Sequence, residues 1–332
     1  PIRPHTSQRA DAGSRPLGPP YSGPTSSHGR QRMPPPASVY RPDLFAGKTA
    51  IVSGGGTGIG LAVARELLSL GAEVFICSRS EAKLSAAVDE VCARDESFRS
   101  RVQTKACNVR KDDDCKLLVE HVVAQAANGK VDLLVNCAGG QFISPAESIS
   151  TKGFKAVVDT NLVGTFQMCR EVFTQSMQQH GGAIVNITMV VENGMPKMSH
   201  SAAARAGVTN LTRSLATEWA PNGVRINCVA PGVIFTKSGF ENYGPMGQPF
   251  MEAITPAVPF KRLGTAEEVS SATVFLLSEG AAYTSGSSIY VDGGMSLVGY
   301  PFPMADTGDV SHFPIYGDED ELPQAAVLRA KL

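Results

Sequence analysis

The chain has 332 residues, of which 42% are apolar and 18% charged, and its formal net charge is −1. Such a composition is typical of a globular protein; its near-neutral charge excludes a global field that recruits nucleic acid, and no apolar run reaches the roughly 18 residues of a membrane span. Seven cysteines without a C-x-x-C pair predict buried reduced thiols, a reducing compartment and no metal site.

The first segment, residues 1–42, is rich in Pro, Ser, Gly and Arg and nearly lacks aliphatic residues. It cannot bury enough surface to offset the entropy of ordering, so a disordered extension is predicted. Its arginines and serines, with Asp11 as its single acidic residue, faintly resemble a transit peptide. The alternative, favoured by Met33 at the head of a plausible natural start, is that residues 1–32 are not native coding sequence.

Between residues 43 and 298, short runs rich in Val and Ile alternate with segments whose apolar residues recur every three or four positions. Apolar strands separated by helices predict a parallel sheet covered on both faces. The predicted fold class is therefore α/β, a doubly wound, Rossmann-like single domain. The predicted strands are residues 49–54, 73–79, 102–109, 131–139, 183–188, 224–232 and 287–294.

A glycine-rich loop, SGGGTGIG at residues 53–60, follows the first predicted strand and opens the first predicted helix. Glycine permits a close approach of pyrophosphate to the backbone, and a helix N-terminus offers free N–H groups. A dinucleotide phosphate loop is predicted from this context. The residues expected to hold the cofactor here are Ser53, Gly54, Thr57, Gly58, Ile59 and Gly60.

The end of the second strand distinguishes NAD from NADP. An NAD enzyme places an acidic side chain there to bind the ribose 2′-hydroxyl. This strand ends in Ser78 and Arg79 instead, and no carboxylate follows until Glu81. Because a guanidinium binds phosphate as a two-pronged fork, NADP(H) is the predicted cofactor. The alternative interpretation of Arg79 is a solvated surface arginine.

The last segment, residues 299–332, loses the apolar periodicity and is predicted to be a short C-terminal tail with an acidic run from Asp318 to Glu321. The final tripeptide Ala330-Lys331-Leu332 is similar to the S-K-L peroxisomal signal, which an import receptor reads. A peroxisomal location and binding to that receptor are therefore expected.

Five motifs together resemble the short-chain dehydrogenase/reductase family over about residues 45–295. They are the glycine spacing of the phosphate loop, NCAGG at 136–140, DTNLVGTF at 159–166, VRINCVAPGVIFT at 224–236 and YVDGG at 290–294. The resemblance implies further cofactor contacts from Asn108, Val109, Asn136, Ala138, Gly139, Pro231, Gly232 and Ile234. It also implies a homotetramer that associates through the helices near 155–180 and 201–219.

The catalytic helix departs from this family. Most members carry a tyrosine and a lysine four residues apart, and the stretch SHSAAARAG at 199–207 holds Ser201 and Arg205 at those places. The resemblance implies that Asn161 belongs to the catalytic group and that Arg205 binds the nicotinamide ribose. A hydroxyl from Thr188 or Ser201 is expected to face the substrate oxygen, with Met189 at the place of the family's serine.

Two alternatives remain on this helix. Thr209 and Arg213 are also four residues apart and offer a second register for the catalytic pair. His200, next to Ser201, is either an acid that protonates the substrate or a structural helix residue. Consecutive helix residues are about 100° apart, so His200 and Ser201 cannot face the same way.

The missing tyrosine argues against a ketone reductase, because an alkoxide needs a good acid. Reduction of an enoyl thioester instead develops an enolate on the thioester oxygen, which needs hydrogen-bond donors aimed at it. The loops GGQFISPAESISTKGF, HSAAARAGVTNLTRSLATEWA and FENYGPMGQPFME resemble those of peroxisomal reductases of trans-2-enoyl-CoA. NADPH-dependent reduction of the 2,3 double bond, in fatty acid metabolism, is the predicted function. The alternatives are 2,4-dienoyl-CoA reduction and a non-catalytic NADP-binding protein.

The acyl-CoA substrate has a predicted binding region in residues 234–263, where aromatic and Met side chains are interleaved with Gly and Pro. This segment is either an apolar lid over a fatty acyl chain or a helical cover packed on the core. Gln141 and Phe142 are expected to border the acyl site. The cations that could meet the coenzyme A phosphates are Lys237, Lys261 and Arg262.

Overall fold

The computed structural model describes residues 39–241, 244–298 and 316–317. Most of the expected extension and tail, including Ala330-Lys331-Leu332, lies outside the described residues. Tyr40, on the extension side of the boundary expected after residue 42, packs against the core and donates its hydroxyl to the carbonyl of Ser271 at 2.9 Å. The described fold therefore includes part of the segment that precedes the predicted domain.

Seven parallel strands form one sheet in the order β3-β2-β1-β4-β5-β6-β7. The order in which successive strands join the sheet reverses between β1 and β4. In such sheets ligands bind beyond the carboxyl ends of the strands at this switch point. The doubly wound prediction is confirmed. The strands are β1 Thr49–Ser53, β2 Glu73–Ser78, β3 Val102–Ala106, β4 Leu133–Asn136, β5 Gly182–Ile187, β6 Val224–Pro231 and β7 Ser288–Val291.

Helices cover both faces of the sheet because successive strand residues point to opposite sides. Ile51 belongs to the apolar cluster formed with α3, α5 and α7, whereas its neighbour Val52 belongs to the cluster formed with α1, α2 and α10. The helices are α1 Gly58–Ser69, α2 Glu81–Arg94, α3 Asp112–Gln125, α4 Thr151–Val158, α5 Gly164–Val172, α6 Gln178–His180, α7 Ser199–Glu218, α8 Lys237–Glu241, α9 Gly247–Ile254 and α10 Ala266–Leu277.

Two π-helical turns, Asp159–Val163 and Phe173–Met177, connect α4, α5 and α6 into one continuous helical run. π-turns inside helices are frequent at functional sites. The first of them carries Asn161, the asparagine that the sequence assigns to the catalytic group.

The region predicted as lid or cover contains the short helices α8 and α9. Phe240, Met251 and Leu263 form a small apolar core here, against which the partly buried Phe235 and Phe250 pack. The segment is therefore a helical cover with its own core.

A buried chain of polar side chains ties three strands to α7. Asn136 on β4 donates its amide to Asn186 on β5 at 2.9 Å, and Asn186 donates to the hydroxyl of Thr212 at 2.9 Å. The thiol of Cys228 on β6 donates to the same hydroxyl at 3.1 Å. Because buried polar groups are costly unless hydrogen-bonded, each member depends on its neighbours.

We expect Asn186→Ala to lower the free energy of unfolding by about 2 kcal/mol, because it removes two buried hydrogen bonds, one from Asn136 and one to Thr212. Asn193→Ala, which removes an exposed amide bonded to the carbonyl of Ser296, should change it by less than about 0.5 kcal/mol. Urea denaturation of the two variants measures both values. Equal losses would contradict the importance of the buried chain.

Candidate active site

The phosphate loop passes directly over the end of β4. Gly54 has a φ of +72°, its N–H donates to the carbonyl of Cys77 at 2.8 Å, and a Cβ added to it would lie 2.7 Å from the backbone nitrogen of Ala138. Only glycine fits this position. The side chain of Thr57, which precedes α1, makes no capping hydrogen bond. The helix therefore leaves its first N–H groups to a ligand, and this cradle fits the pyrophosphate of a dinucleotide.

Four other residues of the predicted loop, Ser53, Gly58, Ile59 and Gly60, also pack tightly against their surroundings. The buried hydroxyl of Ser53 accepts a hydrogen bond from the N–H of Ala138 at 3.3 Å, and Ile59 packs against the core. A Cβ on Gly58 would lie 3.3 Å from the side chain of Thr236, so the segment after β6 closes over the loop. A Cβ on Gly60 would lie 2.4 Å from the carbonyl oxygen of Gly54.

The cofactor-specificity residues lie where the second and third strands end. Ser78 accepts a hydrogen bond from the N–H of Ser80 at 3.3 Å, and its hydroxyl lies 3.5 Å from the Cβ position of Gly56 in the loop. Arg79 is exposed and makes no hydrogen bond or ion pair with any residue that the structure describes. Its guanidinium is therefore available to a ligand phosphate.

Asn108 and Val109 occupy the turn after β3. The side-chain oxygen of Asn108 accepts the N–H of Arg110 at 3.3 Å, and its own N–H donates to Asp114 at 3.1 Å. Val109 is buried, and its side chain lies 2.7 Å from the Cβ position of Gly164 on α5. Because its side chain is buried, Val109 can offer only its backbone for the cofactor contact that the resemblance implies.

The side chain of Asn136 does not make the cofactor contact that the resemblance implies. Its side chain is 3% exposed and belongs to the buried polar chain, so it steadies the sheet and does not line the cofactor groove. The groove at this point is formed by Ala138 and Gly139, which leave the sheet after β4.

Gly139 lies next to two residues that the sequence assigns to the catalytic group, Asn161 and Arg205. A Cβ there would lie 2.6 Å from the side-chain oxygen of Asn161 and 3.0 Å from an Nη atom of Arg205. Asn161 accepts the N–H of Gly140 at 3.0 Å and donates to its carbonyl at 2.8 Å. Asn161 therefore fixes the backbone that lines the groove.

Arg205 reaches from α7 to the end of β5. One Nη donates to the carbonyls of Ile187 and Thr188 at 3.3 and 3.2 Å, and its Nε donates to the hydroxyl of Ser201 at 3.4 Å. A guanidinium keeps its charge at all physiological pH values. It therefore places a permanent positive charge beside both Gly139 and Ser201.

Ser201 is fully buried and lies at the centre of this group. Its hydroxyl donates to the side-chain oxygen of Gln141 at 2.8 Å and lies 3.8 Å from the sulfur of Met189. Gln141 was expected only to border the acyl site, and the sequence carries no signal that pairs it with Ser201. The serine hydroxyl is thus held between a fixed cation and a neutral amide.

The hydroxyl of Thr188 points into the sheet. Its side chain is buried and donates to the carbonyl of Val229 on β6 at 3.1 Å. A hydroxyl has one proton to donate, and this one is already used within the sheet. Ser201 is also buried and also donates, but its acceptor is the side chain of Gln141 and it lies beside Arg205, so the geometry favours Ser201 of the two hydroxyls that the sequence left open.

The second register of the catalytic helix lies away from the groove. Thr209 donates its hydroxyl to the carbonyl of Arg205 at 3.2 Å, one helical turn back. Arg213 is exposed, and its Cα lies 3.9 Å from the Cβ position of Gly286. The geometry therefore favours Ser201 and Arg205 as the catalytic pair.

The turn that follows Pro231, the last residue of β6, carries the expected cofactor residues Gly232 and Ile234. The N–H of Gly232 donates to the carbonyl of Val291 at 3.0 Å, and Ile234 forms a parallel bridge with Gly264. These contacts attach the turn to β7 and to the segment before α10. The expected residues thus lie together at the carboxyl edge of the sheet.

Two of the cations expected to meet coenzyme A are engaged elsewhere. Arg262 is 7% exposed and makes a bidentate ion pair with Glu268 at 2.9 and 2.6 Å. Lys261 donates its amine to the carbonyl of Pro256 at 2.9 Å. Buried pairing removes Arg262 from the expected set, because separating it from Glu268 would leave two buried charges. Lys237 remains exposed.

His200 is buried next to Ser201 and faces another direction. Its ring lies against that of Phe142 with centroids 4.3 Å apart, and neither ring nitrogen has a hydrogen-bond partner among the described residues. Burial lowers the pKa of His200. The imidazole is therefore neutral at neutral pH and is a poor candidate for the acid that protonates the substrate.

The seven cysteines are free thiols. Burial raises the pKa of Cys169 to about 12 and that of Cys137 to about 11, which disfavours the nucleophilic thiolate. Within the described residues, no group of three or more His, Cys, Asp or Glu side chains could hold a metal ion, and no helix is long and apolar enough to cross a membrane.

Fold and groove together define a nicotinamide-dependent oxidoreductase of the doubly wound class. Residues 54–296 match the family described as enoyl-(acyl carrier protein) reductase. The chain belongs to the short-chain dehydrogenase/reductase family, as the sequence motifs predicted.

Two curated relatives share one type of activity in their names. Over 258 residues the chain is 35% identical to the peroxisomal 2,4-dienoyl-CoA reductase [(3E)-enoyl-CoA-producing] of Rattus norvegicus. The aligned residues make up 77% of this chain and 86% of the relative. Over 259 residues it is 36% identical to a probable 2,4-dienoyl-CoA reductase [(2E)-enoyl-CoA-producing] of Bacillus subtilis, covering 77% and 99%.

A solved structure is similar along nearly its whole length. It is the citronellol catabolism dehydrogenase AtuB of Pseudomonas aeruginosa PAO1, with 44% identity, a TM-score of 0.68, and coverage of 78% of this chain and 99% of that one. The names of these three relatives place a reductase or dehydrogenase activity on the same fold.

We expect the stability of the protein to fall less steeply in acid when His200 is replaced by Gln. Burial lowers the pKa of His200 in the folded state, so below about pH 6.5 the unfolded chain binds more protons at this residue and stability is lost as pH falls. The contribution is at most about 1.4 kcal/mol per pH unit. Urea denaturation between pH 7 and 5 measures it, and His180→Gln, at an exposed position, is the control. Parallel pH profiles for all three proteins would contradict this expectation.

Proposed function

We propose that this protein reduces the 2,3 double bond of a trans-2-enoyl-CoA with NADPH. The observation that carries the proposal is the contact of Ser201 with Gln141 and Arg205 at the groove, where most family members have a tyrosine and a lysine. A donor group with a fixed cation suits charge that develops on a conjugated thioester oxygen. The same arrangement suits a ketone poorly, because the alkoxide that forms on its reduction must receive a proton.

NADPH, when bound, supplies a hydride to the β-carbon of the enoyl group. The hydroxyl of Ser201 then turns from Gln141 to the thioester oxygen as negative charge develops there, and the rotated amide of Gln141 offers its NH₂ to the same region. The guanidinium of Arg205, 3.4 Å from the serine hydroxyl, stabilises this enolate electrostatically. The saturated acyl-CoA forms when the α-carbon receives a proton.

The source of that proton in our proposal is water. Arg205 cannot release a proton at physiological pH, and the neutral ring of His200 lies against Phe142, in a different direction from Ser201. Asn161 holds Gly140 from both sides and keeps the groove wall rigid. Water can reach the α-carbon from the open side of the groove without a dedicated acid.

The helical cover supports an apolar substrate. Phe235 and Phe240 stack with ring centroids 5.4 Å apart, and the ring of Phe250 lies 6.4 Å from that of Phe240. These side chains offer a fatty acyl chain an apolar contact surface. Lys237, exposed at the start of α8, is the cation that remains available for the coenzyme A phosphates.

Reduction of a 2,4-dienoyl-CoA is the second candidate, because the names of the rat and Bacillus subtilis relatives specify it. The extended conjugation again places negative charge on the thioester oxygen, so the same group of Ser201, Gln141 and Arg205 serves both reactions. The hydride then goes to the δ-carbon instead of the β-carbon. A proton at the α-carbon gives the (3E)-enoyl product named for the rat relative, and a proton at the γ-carbon gives the (2E)-enoyl product named for the Bacillus subtilis relative.

A panel of substrates tests the proposal. Purified protein is assayed by NADPH oxidation with trans-2-decenoyl-CoA and with trans-2-trans-4-decadienoyl-CoA, and by NADP⁺ reduction with citronellol. We expect turnover of the first ester; preference for the second would select dienoyl reduction. Citronellol oxidation would assign the chain to alcohol dehydrogenation. Tight NADPH binding without any turnover would favour a non-catalytic NADP-binding protein and overturn the proposal.

The catalytic pair is tested by three variants at two arginines. We expect Arg205→Ala to lower kcat about 10²–10³-fold, as expected for the loss of an enolate-stabilising charge, and Arg213→Ala to leave it within about twofold. Arg205→Lys, which keeps a charge, should retain more activity than Arg205→Ala. An impairment confined to Arg213→Ala would identify the second register as the catalytic one.

Cofactor choice is tested at Arg79. We expect Arg79→Ala to raise the KM for NADPH about 10–100-fold, because a charge-assisted hydrogen bond contributes about 1.5–3 kcal/mol, while the KM for NADH stays nearly unchanged. Arg110→Ala, at another exposed arginine near the same edge, is the control. A similar rise for both cofactors would show that Arg79 does not bind the 2′-phosphate.

Location and assembly complete the proposal. The name of the rat relative supports a peroxisomal location, whereas Ala330-Lys331-Leu332 lies outside the described residues. Exposed apolar side chains on the α4–α5 run, Phe154, Val163 and Phe166, support burial against a second copy. Import by the receptor and the homotetramer both stay predictions.

A further inference from the structure

Tyr316 and Gly317 lie against α1 and the start of α10. The hydroxyl of Tyr316 donates to a carboxylate oxygen of Glu66 at 2.8 Å, and the hydroxyl of Thr265 donates to the backbone carbonyl of Tyr316 at 2.6 Å. Thr265 is also the N-cap of α10 and accepts the N–H of Glu268. Tyr316 and Glu66 are 250 residues apart in the chain.

Glu66 explains why a tyrosine is needed. Glu66 is 8% exposed, and the residues next to it on α1 belong to the apolar core. A buried carboxylate is costly unless its oxygens receive hydrogen bonds. Ser270 donates to one oxygen and Tyr316 to the other. A phenylalanine would fill the same space and leave that second oxygen without this donor.

Gly317 is fitted as specifically as Tyr316. Its φ is +114°, in the region that favours glycine, and a Cβ there would lie 2.8 Å from the Cβ of Glu267. Glu267 is itself held by an ion pair with Arg65 on α1. The backbone angle favours glycine, and the adjacent side chain of Glu267 leaves no space for a Cβ atom.

We infer that the surface formed by Glu66, Thr265 and Glu267 is a docking site for the chain's own carboxyl-terminal segment, with Tyr316–Gly317 as its occupant. We name it the tail-docking surface. It holds the chain immediately before the acidic run Asp318 to Glu321, and it clamps α10 to α1, the helix that opens at the phosphate loop. The inference goes beyond the proposed function and does not depend on any reductase activity.

Tail-selective proteolysis of the full chain tests the inference. Endoproteinase Glu-C cleaves after Glu319 or Glu321, and cleavage so close to Tyr316 requires the segment to leave the surface. The rate of such cleavage follows the equilibrium population of the open form. Loss of a hydrogen bond to a charged group is expected to raise that population about 10–100-fold. Mass spectrometry measures the rate at each site.

We expect Tyr316→Phe and Gly317→Ala both to accelerate cleavage after Glu319 and Glu321 by at least about tenfold, with cleavage inside residues 49–291 unchanged. Tyr283→Phe, at a fully exposed tyrosine, should behave like the natural chain. The pair of variants matters because one removes only a hydroxyl and the other adds only a methyl group.

Three results would overturn the inference. The natural chain and both variants could be cleaved at the same rate, in which case nothing is docked. Cleavage of the tail and of residues 49–291 could accelerate equally, in which case the contact serves general stability. Protection could rise with protein concentration, in which case the occupant belongs to a second copy. Each result leaves the reductase assay unaffected.

Discussion

The candidate site depends on one constraint, the close approach of backbone segments at the carboxyl edge of the sheet. A side chain at Gly54 would enter the backbone of Ala138, and one at Gly139 would enter the space of Asn161 and Arg205. The groove is therefore lined by main chain, which gives a dinucleotide both room and free N–H groups. All other parts of the site are arranged around this edge.

In the proposed site, the permanent charge of Arg205 stands where most family members have a titratable lysine. Tyrosine and lysine can transfer protons, whereas Arg205 can only stabilise an anion. Ser201, held between Arg205 and Gln141, is a weak acid and a good hydrogen-bond donor. Such a centre suits a reaction in which charge is delocalised into a thioester. The departure from the family pattern thus has a chemical interpretation, and loss of activity is not its only explanation.

Polar groups inside this protein serve stability as much as chemistry. The chain from Asn136 to Thr212 joins the strands beneath the groove, and the carboxylate of Glu66 receives hydroxyl donors from two distant parts of the fold. His200 differs, because its ring nitrogens have no partner among the described residues. Its neutral state is the consequence of that environment.

The sequence by itself determined the doubly wound sheet, the phosphate loop and the segments that carry Asn161, Ser201 and Arg205. Periodicity and glycine spacing are local properties, and they are readable over a few residues. Only the tertiary structure decided that Thr188 points into the sheet, that Arg262 is paired with Glu268 and that Ser201 meets Gln141. A side chain's orientation depends on partners that folding brings close, such as Gln141, 60 residues from Ser201, or Glu66, 250 residues from Tyr316. No local pattern encodes such pairs, because each partner alone has several equally good hydrogen-bonding choices.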